Sequence, residues 1–224
     1  MYFGTLQSLE VHGLHVLEIP THPRDGISLD ALSFAIDHNS IKAVLVISNF
    51  NNPLGSCIPD NNKKELVEML AHKEIPLIEN DVSGELYFTE KRPMTAKAFD
   101  KKGLVMLCSS FSKDISPGLR IGWLVGPPRI VEELMGYHDY LTLTPTMLSD
   151  RLARFVLEKR KRAEILARTR EIVRTNYPAV RDWIEAHGSL LSHVPPAAGA
   201  ICFLRYALKM NSTDLVERLR KEKS

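Results

Sequence analysis

The chain has 224 residues, 44% hydrophobic and 25% charged, proportions that suit a globular fold and exclude a disordered or collagen-like chain. Lys and Arg number 29 against 27 Asp and Glu, a formal net charge of +2, so no whole-chain field marks a nucleic-acid or membrane binder. Cys57, Cys108 and Cys202 form no CxxC pair, which fits a reducing cytoplasm, and neither a membrane-spanning apolar run nor a signal-peptide pattern is present.

Thr5 to His12 reads as a helix stopped by Gly13, and His15 to Ile19 as a short strand closed by Pro20. Ser28 caps a second helix carrying Leu29, Leu32 and Ile36, and the continuous apolar run Ala43 to Ile47 reads as a strand buried on both faces. Asp60 is expected to cap a helix over Asn61 to His72, followed by strands at Ile75 to Ile78, Leu104 to Cys108 and Ile121 to Val125. Strands alternating with helices in this way predict an α/β fold, a mostly parallel sheet with helices on both faces.

Beyond Gly126-Pro127-Pro128 the chain reads as helical to His187, with breaks expected near Thr144-Pro145 and Tyr177-Pro178. Leu166, Val173 and Val180 lay an apolar stripe on one long helix. Its other face is basic: between Arg151 and Arg181, ten Lys or Arg stand against three Glu. Without interleaved aromatics or a nucleic-acid reading motif, that face reads as solvated. Ala200 to Leu204 reads as a strand and Ser212 or Thr213 as the cap of a last helix. A second, smaller α+β layer is expected to begin near residue 160, dividing the chain into a large α/β unit over 1–160 and a smaller unit over 161–224.

The chemistry concentrates after successive strands, where an open α/β sheet places its ligand crevice. Three segments stand there: Ser48-Asn49-Phe50-Asn51-Asn52-Pro53-Leu54-Gly55, Ile78-Glu79-Asn80-Asp81-Val82-Ser83-Gly84-Glu85-Leu86, and Cys108-Ser109-Ser110-Phe111-Ser112-Lys113 running on to Gly118-Leu119-Arg120-Ile121-Gly122-Trp123. Each alone is ordinary turn, cap or surface chemistry. Together, the serine hydroxyls and the planar fork of Arg120 make an anion site, with an amine at Lys113 beside it. A cofactor that is both a phosphate and an aldehyde uses both groups, and pyridoxal phosphate is such a cofactor. The eight histidines form no HxxxH or HExxH pair, so no metal is expected.

On Ser-Phe-Ser-Lys at 110–113, Arg120 in Gly-Leu-Arg-Ile-Gly-Trp, and Asn52 in Asn-Pro-x-Gly, the chain resembles the fold-type I pyridoxal-phosphate enzymes, specifically class I/II aminotransferases close to the 2-aminoadipate and aromatic enzymes. The likeness extends to the aminotransferase-like effector domain of MocR-type regulators of the GntR family. The resemblance implies that Lys113 forms the Schiff base with pyridoxal phosphate and moves the substrate proton. Ser110 and Arg120 would bind its phosphate, with Ser112 beside them, and Asn52 would donate to its phenolic oxygen.

Where the family carries Asp-x-x-Tyr, Asn80 stands in register with the Asp and Ser83 with the Tyr. Asp81 replaces Asn80 at the pyridine nitrogen only if the strand end twists, so both are candidates. The resemblance implies amino-acid and 2-oxo-acid substrates, a cytoplasmic homodimer with no membrane association, and active-site parts upstream of Met1 and beyond Ser224. Two functions follow from it: an aminotransferase, or a cofactor-binding effector domain of a DNA-binding regulator if a winged helix lies upstream. A third expectation is a truncated product in which the site does not form.

Overall fold

In a computed structural model, residues 3–223 are described apart from 143, 145, 159 and 160. The expected break at Pro145 and the basic residues Lys159 and Arg160 lie outside the described residues. Helix α1 (Phe3–Val11) buries none of its residues, and the chain from Leu14 to Pro20 follows it without regular structure. The strand expected at His15 to Ile19 is therefore not formed: a strand needs a neighbour for its backbone groups, and Leu14, Val16 and Leu17 stand exposed. Strands β1 (Thr21–His22) and β2 (Gly26–Ile27) instead make a short antiparallel pair. Ser28 then caps α2 (Leu29–His38), its Oγ accepting from the Ala31 N–H at 3.3 Å.

Strand β3 (Val44–Ile47), helix α3 (Asp60–His72) and strand β4 (Leu77–Asn80) complete a βαβ unit. Pro59, not Asp60, holds the N-cap of α3; Asp60 is its first residue and pairs with the buried Lys63 at 3.0 Å. A 3-10 turn, Ala96–Phe99, leads to β5 (Val105–Ser110), and a second, Pro117–Leu119, leads to β6 (Gly122–Val125). These strands form a mixed sheet in the order β3-β4-β5-β6, parallel through β5, with β6 antiparallel to it. The hydrophobic core lies on the face carrying Val44, Val46, Leu77 and Val105, closed by Leu32 of α2, Leu66, Val67 and Leu70 of α3, and Ala96. Each fully buried aliphatic side chain contributes about 1.5–3 kcal/mol. The other face, including Leu45 and Ile47, is half-buried among the described residues, so β3 alternates where a strand buried on both faces was expected.

Helices α4 (Pro128–Leu141), α5 (Met147–Glu158) and α6 (Lys161–Ala186) follow. Helix α6 runs straight through Pro178, where a break was expected. The ring removes one helical hydrogen bond, at a cost of about 3 kcal/mol, and tertiary packing carries the helix past it: Ile184 is buried and the Tyr177 hydroxyl meets His193 Nε2 at 2.9 Å. Strands β7 (Leu191–His193) and β8 (Leu204–Tyr206) pair antiparallel, so the last strand lies C-terminal to the expected Ala200 to Leu204. In helix α7 (Ser212–Lys223), Asn211 does the capping: its Oδ1 accepts from the Asp214 N–H at 2.9 Å, in place of Ser212 or Thr213. No helix among the described residues is long and apolar enough to cross a membrane.

Candidate functional site

Strands β3, β4 and β5 are parallel neighbours, so the segments that follow them emerge at one edge of the sheet. The reversed direction of β6 brings its first residues to that same edge. One side of the sheet thus gathers Asn52, Asn80, Asp81, Ser83, Ser110, Ser112, Lys113 and Arg120.

The 110–120 segment is wound around Phe111, which is buried and stacks edge-on against Trp123 at 5.1 Å. The Phe111 N–H donates to the Ile121 carbonyl at 3.1 Å, and its carbonyl accepts from the Ile115 and Ser116 N–H groups at 3.0 and 2.9 Å. Ser110 Oγ accepts from the Ser112 N–H at 3.2 Å, while Arg120 donates to Ser112 Oγ at 3.4 Å and to the Pro117 carbonyl at 3.3 Å. Arg120 sits in the left-handed region, φ +53°, a conformation costing a non-glycine residue roughly 1–2 kcal/mol. Such strain persists where its surroundings fix the backbone, commonly at functional sites. Across the sheet from Ser110, Gly122 approaches so closely that a Cβ there would lie 3.1 Å from the Ser109 carbonyl oxygen. Lys113 is exposed and makes no hydrogen bond or ion pair among the described residues. Two hydroxyls, a guanidinium and an uncommitted amine therefore share one loop.

Lys113 and Asn80 are each followed by a buried carboxylate. Asp114, next to Lys113, is buried; one carboxylate oxygen lies 3.7 Å from Arg162, and the other has no partner among the described residues. Burial pushes its pKa up. Asp81, next to Asn80, is 2% exposed and turned into the core, where Asn49 Nδ2 donates to it at 2.8 Å and Arg92 forms an ion pair with it. Asn80 is half-buried, its Oδ1 accepting from the Val82 N–H at 3.2 Å. Ser83 lies in the turn after β4, its carbonyl accepting from the Leu86 N–H at 2.9 Å. Asn52 is exposed on the loop after β3, before a cis bond to Pro53. That loop is closed by the Gly55 and Asn51 N–H groups, bonded to Asn51 and Ser56 carbonyls at 2.6 and 2.8 Å.

Several contributors carry no assigned role in the sequence reading. Glu85, Arg92, Arg162 and Arg170 form an ion-pair cluster, with Glu85 meeting the three arginines at 3.1, 3.1 and 3.2 Å. Burial alone would raise the Glu85 pKa, but the Arg162 and Arg92 guanidiniums overcome it and hold the carboxyl low. Arg170 also stacks on Tyr87, 3.8 Å from the ring centre. The helix face expected to be solvated is therefore partly engaged by the segment after β4. Glu79 is fully buried, accepting from Ser48 Oγ at 2.5 Å and from the Ala96 and Lys97 N–H groups at 2.7 and 2.8 Å. The 196–201 turn meets two of these segments, with the Gly199 N–H on the carbonyl of Leu86, after β4, at 2.9 Å and Pro196 against Gly55, after β3. Gly55, at φ +74°, leaves room that a Cβ, 2.9 Å from Pro196, would fill. Cys57, Cys108 and Cys202 are free and half-buried, and burial raises the pKa of each thiol. No cluster of metal-ligating side chains exists among the described residues.

The sequence profile of the aminotransferase class I and II family matches residues 2–224. The HTH-type transcriptional regulator YjiR of Escherichia coli (strain K12) is 39% identical over 188 residues, 83% of this chain and 39% of that protein. A second regulator from the same organism, YdcR, is 38% identical over 66% of this chain and 32% of its own length. Among solved structures, LysN, an α-aminoadipate aminotransferase from Thermus thermophilus complexed with N-(5'-phosphopyridoxyl)-L-leucine, superposes with a TM-score of 0.92 at 25% identity. That match covers 99% of this chain and 57% of LysN. The chain thus spans well under half the length of the two regulators.

Proposed function

The chain belongs to the class I and II aminotransferase family, and from that premise we propose that it binds pyridoxal phosphate and moves an amino group from an α-amino acid to a 2-oxo acid. The observation that carries this reading is the loop pairing an uncommitted amine, Lys113, with anion donors at Ser110, Ser112 and Arg120. Those donors suit a phosphate, which takes several hydrogen bonds and a planar cation at once. Bound there, the cofactor supplies an aldehyde for amines to condense on and a ring that withdraws electrons from the substrate α-carbon.

Lys113 would hold the aldehyde carbon through Nζ, with release of water, until the substrate amino group took its place on that carbon; the amine so freed would then carry a proton to and from the substrate α-carbon. Arg120 and Ser110 would hold the phosphate, Ser112 would orient Arg120, and Asn52 would donate to the phenolic oxygen. Ser83 offers a short hydroxyl where a tyrosine would reach further. In this reading residues 1–160 form the cofactor-binding unit and 161–224 part of a smaller one. The protein acts in the cytoplasm as a homodimer; exposed Met135, Tyr137 and Leu141 of α4 and Leu148 and Phe155 of α5 are apolar surface that such a contact would cover.

Borohydride reduction of protein incubated with pyridoxal phosphate, followed by peptide mapping, is expected to find the label on Lys113. Equal labelling of Lys113→Ala sinks the assignment. A second reading is favoured by the regulators YjiR and YdcR: the same site holding the cofactor as an effector domain with little turnover. Bound cofactor without amino transfer from 2-aminoadipate, aromatic or branched-chain amino acids, together with DNA binding by the protein, would select it.

A further inference from the structure

Strand β4 alternates regularly: Leu77 and Glu79 are buried against the core, Ile78 and Asn80 half-buried on the opposite face. The alternation continues one residue further, because the Asp81 N–H extends the parallel ladder to the Cys108 carbonyl at 2.9 Å. Asp81 therefore turns to the Glu79 side, and Asn49 and Arg92 occupy its carboxylate there. Asn80 registers with Cys108 on β5, and Ser110 follows Cys108 on the same face. A strand spacing of about 4.8 Å and a two-residue rise of about 6.6 Å put the Cα atoms of Asn80 and Ser110 roughly 8 Å apart, which suits a pyridine ring tethered by its phosphate arm to Ser110.

The Asn80 amide is also oriented. The Val82 N–H can only donate, so the atom it meets at 3.2 Å is Oδ1. Nδ2 is left as the outward atom, with no hydrogen bond among the described residues. It is a donor and nothing else.

We infer that Asn80, not Asp81, meets the ring nitrogen of the bound cofactor, and that it does so as a hydrogen-bond donor that keeps this nitrogen unprotonated. The inference rests on the cofactor reading above. An N–H pairs with a nitrogen lone pair and opposes a pyridinium N–H, and among the described residues β3, β4 and β5 place no carboxylate on that face to repay the charge. A neutral ring withdraws electrons less strongly, so the site favours holding the cofactor over rapid amino transfer. Ser110, Ser112, Arg120 and Lys113 are unaffected by this change.

Pyridoxal phosphate carrying 15N in its ring, bound to the purified protein and observed by NMR at neutral pH, reads the protonation directly. The expected resonance is that of a neutral pyridine nitrogen; a pyridinium resonance overturns the inference. Asn80→Asp is expected to move the signal to the pyridinium position, and Asp81→Asn to leave it unmoved. A shift in Asp81→Asn with none in Asn80→Asp makes Asp81 the partner and overturns it too. Should Asp81→Asn fail to fold once its Arg92 pair is lost, the wild-type and Asn80→Asp signals decide. A protein with no bound label at all refutes the cofactor reading itself, an outcome distinct from a bound label with a protonated ring.

Discussion

Removing the guanidinium of Arg92 strands a carboxylate in the core. Asp81 is 2% exposed and depends on Arg92 and on one 2.8 Å bond from Asn49. Arg92→Met keeps the aliphatic stem and deletes the charge. Breaking one side of a buried pair costs about 3–5 kcal/mol. The surviving Asn49 donor, and the 30% exposure of the Arg92 side chain, place the expected loss at about 3 kcal/mol, the low end of that range. In a chain of this size the melting temperature then falls by about 6–12 °C. The assay is a double-mutant cycle of Arg92→Met, Asp81→Asn and the two combined, measured by urea unfolding. Coupling of at least ~1 kcal/mol is expected, since an amide at position 81 needs no counter-charge. If Arg92→Met costs the same in both backgrounds within about 0.5 kcal/mol, Arg92 acts through Glu85 or through packing, and the sequestration of Asp81 by Arg92 is refuted.

Glu85 predicts a pH dependence. Its carboxyl is held below the usual range in the folded protein, so its contribution is present above the unfolded value of about 4.3 and lost as the pH falls through the folded value. Urea midpoints of the wild type are therefore expected to fall more steeply below pH 5 than those of Glu85→Gln; parallel curves would contradict the ion-pair cluster. In Gly84→Ala, a Cβ would press on the Asp81 carboxylate and come within 2.7 Å of Arg92 Nη2, with an expected loss of about 1–3 kcal/mol in thermal unfolding. Arg120→Gln removes a charge-assisted bond of about 1.5–3 kcal/mol, so the dissociation constant for pyridoxal phosphate is expected to rise about 10–100-fold in equilibrium dialysis.

Reading the sequence located β3, β4, β5 and β6 because apolar runs separated by amphipathic helices carry the β/α rhythm locally. It also singles out the Ser110 to Arg120 segment, whose candidate donors all sit within one short stretch of chain. It missed β7 and shifted β8, because short edge strands are specified by their partners more than by their own residues. Pro178 signals a break in any isolated helix, and only the burial of Ile184 and the contact of Tyr177 with His193 show why α6 continues. The choice between Asn80 and Asp81 is open in the sequence because the contacts that hold Asp81 come from Asn49 and Arg92, 32 and 11 residues away along the chain. Spacing carries no record of which face an arginine will reach. The engagement of Arg162 and Arg170 by Glu85 was hidden likewise, since a basic helix face reads as solvated until an acidic partner is folded against it.

The antiparallel return of β6 has a consequence for how the proposed anion site could be inherited. Parallel strands require a crossover of a dozen or more residues, which would scatter the serines and the arginine over separate elements. Here the chain reverses once, and everything from Ser110 to Arg120 belongs to a single short peptide closed by the Phe111 to Ile121 hydrogen bond. The unit is a cassette. It can be copied or lost as one piece, and inserting even one residue between Lys113 and Arg120 should disable it, whereas surface loops elsewhere in the chain can lengthen at little cost.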